Sequence, residues 1–226
     1  LKVSSSELFQ QIKEFLIAQV MQDDATILWP TDALYQTFLQ AGIATGKEDD
    51  LRQQFEICID RVEQTGLIKR LSFGRFVLLK PEVLDNYASA LVTRVRDEPD
   101  GLGNISEARV LACDFDMSGY QRIADREKER LLLIAMVEDL VRRELVVREG
   151  IDLVFPAQTT VTYPAIPDPP GKTILFDFIG PIANIYATLA VKLIRSEIFV
   201  KRQIWKDAIE YTARVGCLLY TSDAAD

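Results

Sequence analysis

The spacing of apolar residues predicts three amphipathic helices in the first part of the chain, over residues 4–22, 31–42 and 48–66. A short β-prone run over residues 25–30 separates the first two helices. After the third helix, two short apolar runs on either side of Gly74 predict a hairpin. Helix, strand, helix, helix and hairpin is the element order of a winged helix. The positions expected to face its core are Leu8, Ile12, Phe15, Leu16, Val20, Leu51, Phe55, Cys58, Ile59 and Val62.

The same order of elements recurs roughly 75 to 78 residues further along the chain. A helix is predicted over residues 81–95, with Pro81 at a favoured first helical position. Glycines and acidic residues then indicate a linker over residues 99–104, followed by a short helix and a long helix over residues 126–145. A second hairpin is predicted around Gly150. The recurrence indicates a structural repeat.

The pattern changes again after residue 160. Residues 161–172 form a Pro-rich connector, residues 173–180 predict a strand, and the mostly apolar residues 181–196 predict a helix. Residues 202–211 alternate in polarity and are interpreted as another strand, with a short helix as the alternative. We therefore expect an α+β fold with two tandem winged-helix-like units, residues 1–98 and 105–160, and then the start of a truncated strand-helix-strand α/β unit, residues 173–216.

The last ten residues, CLLYTSDAAD, differ in kind from the amphipathic sequence before them. They match, codon for codon, the translation of a transposon adapter used in sequencing libraries. We therefore expect residues 217–226 to be adapter-derived, the alternative being a disordered natural tail. Because the chain begins at Leu1 without an initiator methionine, we also expect it to be a fragment of a longer protein.

Composition narrows the classes of function. The net charge of −8 argues against nucleic acid and anionic membranes as partners, because phosphate binding depends on Lys and Arg. Histidine, the commonest general base and metal ligand, is absent. Cys58 and Cys113 occur without a CxxC motif or a secretory signal, which indicates buried structural thiols in a cytoplasmic protein. The longest near-apolar run, residues 179–191, is too short to span a bilayer.

No segment carries a recognisable catalytic motif. The Gly-Lys-Thr at residues 171–173 lacks the upstream glycine and the following helix of a phosphate-binding loop. The acidic clusters at residues 48–50 and 97–100 lack the alternating spacing of a calcium loop. Asp114 and Asp116 are better interpreted as part of a surface loop than as a catalytic carboxylate pair. We expect no catalytic, cofactor-binding or metal-binding residues, and no cofactor.

The position of the DNA-reading helix in a winged helix is occupied here by acidic sequence. Residues 48–64 contain two arginines and six acidic residues, a charge balance that repels phosphate. In the second unit, Arg126 and Arg130 share one helix face, but Ile134 follows them and no basic stripe develops. DNA binding is therefore disfavoured. A fragment of a winged-helix DNA-binding transcription regulator remains the alternative function.

Two stretches of the sequence resemble a known family. GLIKRL and FVLLKPEVLDNYASALV, followed by GNISEARV, resemble the start of COR regions, which follow the GTPase domain in Roco proteins. Residues 131–157 are similar to the later part of a COR region. The chain departs from the family at Lys80, where an Asn is expected, and at Val83, where an aromatic residue is expected. The same helix-hairpin plan also recurs in winged-helix parts of STAND-type signalling ATPases.

The resemblance implies a non-catalytic interaction, dimerisation and relay module of a larger cytoplasmic signalling NTPase. Its implied partners are an adjoining NTPase domain in the parent chain and a second copy, bound through the third unit. Helical spacing places Ile185, Leu189 and Leu193 on one face of the predicted helix and Tyr186 on the neighbouring face, so these four are the predicted interaction residues. The alternative is that this helix folds back onto the winged-helix units and is fully buried there.

Overall fold

The computed structural model describes residues 5–21, 27–42, 48–71, 75–164, 179, 182–206 and 208–213. The chain divides into two compact units, residues 1–88 with 117–136, and residues 89–116 with 137–226. This division differs from the predicted boundaries at residues 98 and 105, because each unit is assembled from two separate stretches of chain. The predicted connector beyond residue 164, the strand at residues 173–180 apart from Ile179, and the C-terminal tail lie outside the described residues.

The first six elements have winged-helix topology. Strand β3 lies between the other two strands of an antiparallel sheet, and Leu78 pairs with both Leu28 and Lys69. This arrangement confirms the predicted α+β class. The elements are α1 (Ser5–Val20), β1 (Leu28–Pro30), α2 (Thr31–Gln40), α3 (Glu48–Gln64), β2 (Lys69–Arg70) and β3 (Phe76–Leu78).

The hydrophobic core of the first winged-helix unit forms where α1, α2 and α3 meet the sheet. Nine of the ten predicted core positions are buried, and Val20 is half-buried against them. The rings of Phe38 and Phe55 lie 5.3 Å apart between centroids, and Phe15 meets Phe38 edge-on at 5.4 Å. Aromatic burial of this kind is the main force that holds the three helices together.

The next six elements repeat the same order and the same sheet topology. The central strand is again the last one, β6, and it is antiparallel to both of its neighbours. The elements are α4 (Glu82–Arg96), β4 (Asn104–Ser106), α5 (Glu107–Leu111), α6 (Arg126–Arg142), β5 (Val147–Glu149) and β6 (Asp152–Val154). The repeat therefore begins at α4, a helix that sequence analysis assigned to the first unit.

The predicted linker at residues 99–104 begins with two exposed residues, and the remainder, from Gly101 onward, is packed. Gly101 and Gly103 are buried, and Asn104 already belongs to β4. The amide of Phe155 donates to the carbonyl oxygen of Gly103 at 2.7 Å, and the amide of Thr160 donates to Gly101 at 2.9 Å. These hydrogen bonds extend the contact between β4 and β6 to the residues that precede β4 and follow β6. A side chain would not fit at either glycine.

Helix α7 (Ile182–Arg195) is followed by β7 (Phe199–Ile204) and β8 (Ile209–Ala213), which form an antiparallel pair. The single strand predicted over residues 202–211 is instead the turn and flanks of this hairpin. The amide of Trp205 donates to the carbonyl oxygen of Ala208 at 2.8 Å and closes the turn. The alternation of polar and apolar residues does not by itself show that the chain reverses direction within the segment. None of the described helices is long and apolar enough to cross a membrane.

Candidate functional site

Helix α3 occupies the position of the recognition helix, and two arginines on and beside it, Arg52 and Arg70, are paired with carboxylates. Arg52 contacts the carboxylate of Asp32 and lies 3.9 Å from that of Glu56. Arg70, on β2, lies 3.1 Å from Glu56 and also contacts Asp60. The charges of Arg52 and Arg70 are therefore neutralised within the unit, since all four ion pairs join groups of that unit.

The exposed stripe of α3 carries an isolated apolar residue among polar ones. Ile57 is 44% exposed, and the exposed Gln53 and Asp60 lie about one turn away from it on either side. The carboxylate of Glu63 accepts a hydrogen bond from the backbone amide of Arg70 at 2.9 Å. This exposed stripe is therefore polar and acidic around one aliphatic side chain.

In the second repeat, the described arginines at the C-terminal end of α6 and on β5 also have acidic partners. Arg143 lies 2.9 Å from Asp139. Arg148 lies 2.7 Å from Glu138 and 3.0 Å from Glu107. These hydrogen bonds, first to Glu107 and then to Glu138, raise the pKa of the Arg148 guanidinium above its ordinary value. Arg143 and Arg148 are thus charge-compensated at the C-terminal end of the second recognition helix and on the strand that follows it.

Two of the acidic motifs singled out in the sequence each contribute one carboxylate to Arg109. Asp114 lies 2.8 Å from the guanidinium of Arg109, and the hydrogen bond from Arg109 lowers the pKa of Asp114. Glu98 lies 2.8 Å from the same guanidinium. Residues 171–173 lie outside the described part of the chain. Within the described ranges, no group of three acidic or cysteine side chains is placed to hold a metal ion.

Cys58 and Cys113 are both buried and unbridged, as predicted. Burial raises the pKa of the Cys58 thiol, with a smaller opposing effect from Arg61. Because the thiolate is the reactive form of cysteine, this shift lowers the nucleophilicity of Cys58 at neutral pH. Cys58 lies in the core of the first unit, which is the role of a packing residue.

Of the four predicted interaction residues, two lie on the open side of α7. Ile185 is 39% exposed and Leu189 is 52% exposed, whereas Leu193 is half-buried. The hydroxyl of Tyr186 instead faces the β7–β8 turn, 2.8 Å from the carbonyl oxygen of Trp205. Tyr186 therefore contributes to the hairpin within its own unit, and the exposed apolar surface centres on Ile185 and Leu189.

The opposite face of α7 is covered by the same unit. Ala190 and Val191 are buried, and the helix packs against β5 and against a 3₁₀ turn, Pro156–Gln158. The alternative that α7 folds back onto the winged-helix units and is fully buried there is wrong as to full burial, since only one face of the helix packs against the chain of the second repeat and the turn after it. It does not account for Ile185 and Leu189.

A buried polar network was not identified from the sequence. The hydroxyl of Tyr87 donates to the Glu129 carboxylate at 2.6 Å and accepts from the backbone amide of Ile123 at 3.0 Å. Arg122 donates to both oxygens of the same carboxylate, at 2.6 and 2.9 Å. The sequence does contain a signal for this network, because helical spacing places Glu129 on the same face as the buried Leu132. The network holds the chain before α6 in one conformation.

Replacing Tyr87 by phenylalanine is expected to lower the free energy of unfolding by roughly 1–3 kcal/mol, because a buried amide and a buried carboxylate each lose a partner. Urea unfolding monitored by circular dichroism measures the change. The matched control is Tyr120→Phe, since Tyr120 is exposed in the loop before α6 that also contains Arg122 and Ile123. Equal midpoints for the two variants would contradict a stabilising role for the network.

A scan of protein-family models, and comparisons with curated proteins and with solved structures, give no match to this chain. Its function is therefore inferred from the topology, the charge arrangement and the exposed surfaces, together with the resemblance in the sequence.

Proposed function

We propose that this chain is a non-catalytic interaction and relay module, resembling a COR region, of a larger cytoplasmic signalling NTPase. Its partner within the parent chain would be the adjoining NTPase domain. The tandem winged-helix topology supports the proposal, since such units present helix faces and hairpins to other macromolecules. The resemblance carried by GLIKRL and FVLLKP supplies the signalling context.

The observation that carries the proposal is the neutralised recognition helix of the first repeat. Arg52 and Arg70 each face two carboxylates, so binding a phosphate would require breaking these pairs beside repelling acidic groups. A protein surface needs no such rearrangement, because polar rims around an aliphatic residue such as Ile57 are usual in protein interfaces. Interaction with protein is thus the favoured use of this face.

We further propose that the module self-associates through the exposed side of α7. Ile185 and Leu189 are one turn apart and both exposed, and the COR resemblance implies a dimer. Replacing both by aspartate is expected to convert the full chain to a monomer, because desolvating two carboxylates in an apolar contact is strongly unfavourable. Sedimentation velocity over a concentration series measures the association state.

The matched control for that experiment is Ile57→Asp, which places the same charge at a similarly exposed aliphatic position on α3. The control is expected to associate like the unaltered chain. A monomeric unaltered chain, or an aspartate pair that associates as before, would refute self-association through α7.

The second candidate is DNA binding, which the winged-helix topology favours on its own. Fluorescence anisotropy with a labelled duplex of about 25 base pairs at low salt separates the two functions. We expect weak binding without sequence preference, since Arg70 and Arg143, which lie beside the recognition helices, have acidic partners. Tight binding that falls steeply with added salt would favour the transcription regulator instead.

A further inference from the structure

The hairpin β5–β6 of the second repeat, residues 147–154, is a wing and is named wing two. Within the same compact unit, α7 packs against β5 of wing two and against the 3₁₀ turn after β6, and β7 and β8 follow α7 as a hairpin. The amide of Lys206 donates to the carbonyl oxygen of Val161 at 2.7 Å. The rings of Trp205 and Tyr163 meet edge-on, with centroids 4.7 Å apart. These contacts hold the segment α7–β8 against the chain that follows wing two.

Charged groups connect this segment to the second repeat at two places. The ammonium of Lys201, on β7, contacts the carboxylate of Glu149, at the end of β5. The Lys201 side chain is only 14% exposed, so its charge requires a nearby partner. Glu144, just beyond α6, lies 3.7 Å from the ammonium of Lys192 and 3.9 Å from the guanidinium of Arg195 on α7.

Glu144 is an unfavourable residue for its own local conformation. Its φ of 59° lies in the left-handed region, where glycine or asparagine is usual at a helix end. Its negative charge also lies at the C-terminus of α6, where the helix dipole favours cations. Neither local effect favours glutamate here. The two cations of α7 supply the compensating interaction, which points to a role in docking.

We propose that α7–β8 is a cap seated on wing two, with Glu144 and Glu149 as the positioning residues that set its orientation. The buried side chains of Val191 and Trp205 hold the cap, and the ion pairs of Glu144 and Glu149 select one register among the possible ones. The cap covers the base of wing two, whereas residues 148–151 at its tip stay exposed. This inference does not depend on the proposed function, because it concerns contacts within one unit.

The test is a charge-reversal cycle on the full chain, with Glu149→Lys, Lys201→Glu and the double variant. Hydrogen exchange is measured at amides of α7, β7 and β8, with amides of α3 as the internal reference. Each single reversal is expected to accelerate exchange in the cap on the order of fivefold or more, while α3 is unchanged. The double variant is expected to recover most of the protection. Unchanged exchange in the single variants, or no recovery in the double variant, would overturn the proposal.

Glu144→Gly supplies a second, independent measurement. Glycine relieves the left-handed backbone, so the end of α6 is expected to exchange no faster than before. Exchange in α7 is expected to rise, on the order of fivefold, because Lys192 and Arg195 lose their partner. If exchange slows or stays unchanged in α7, Glu144 has no positioning role.

Discussion

Gly103→Ala is expected to lower the free energy of unfolding by about 3–5 kcal/mol, through strain and crowding together. Gly103 has a φ of 67°, which costs an L-residue about 1–2 kcal/mol. A methyl group there would lie 2.8 Å from the carbonyl oxygen of Phe155 and 2.9 Å from the amide nitrogen of Thr159. Both neighbours are backbone atoms of a paired segment and have no room to move aside.

Gly150→Ala is the matched control. Gly150 has a φ of 62° in the turn of wing two, and a methyl group there would meet no atom within 4 Å. Its cost is therefore limited to the backbone strain, about 1–2 kcal/mol. Urea unfolding of the two variants compares them directly. Similar midpoints for both would show that the chain at residues 101–103 is not closely packed against residues 155–160.

Phe38→Ala is expected to lower the free energy of unfolding by about 3–5 kcal/mol. Phe38 is fully buried, and its ring lies between those of Phe15 and Phe55, at 5.4 and 5.3 Å. Removing the ring loses the burial of the side chain and leaves a cavity that three helices cannot close without moving. The measurement is the urea midpoint, with the slope expected to stay unchanged if unfolding remains two-state.

Ile57→Ala is the control for the core variant. Ile57 lies on α3 but points to solvent, so its loss is expected to change the free energy of unfolding by less than about 1 kcal/mol. A cost for Phe38→Ala no larger than that of Ile57→Ala would contradict the aromatic core. The comparison also shows whether Ile57 is available for binding experiments without loss of the fold.

Most regular elements could be predicted from the sequence because they carry strong periodic signals. The apolar face of α3, from Leu51 to Val62, recurs at helical spacing and is buried as expected. Strand β4 is different, since Asn104–Ser106 has only three residues, too few for alternation to mark a strand. Its strand conformation comes from pairing with β6, whose residues Asp152–Val154 lie far along the chain.

The candidate surfaces were predicted less completely, for a physical reason that α7 illustrates. Periodicity shows that Ile185 and Leu189 share a helix face, but it does not show what covers that face. Tyr186 is close to the same face in the sequence pattern, yet its hydroxyl is directed to Trp205 of the hairpin. Which residues remain exposed depends on neighbours that are distant in the chain.

The amino-acid sequence by itself determined the α+β class, the repeated helix-hairpin order and the acidic recognition helix of the first unit, because each depends on local spacing or on charge near α3. The tertiary structure decided the packing of Gly103, the burial of Glu129 and the position of α7–β8 on wing two. Each of these depends on a contact between segments far apart in sequence. The local sequence pattern does not show which distant backbone or side chain makes that contact.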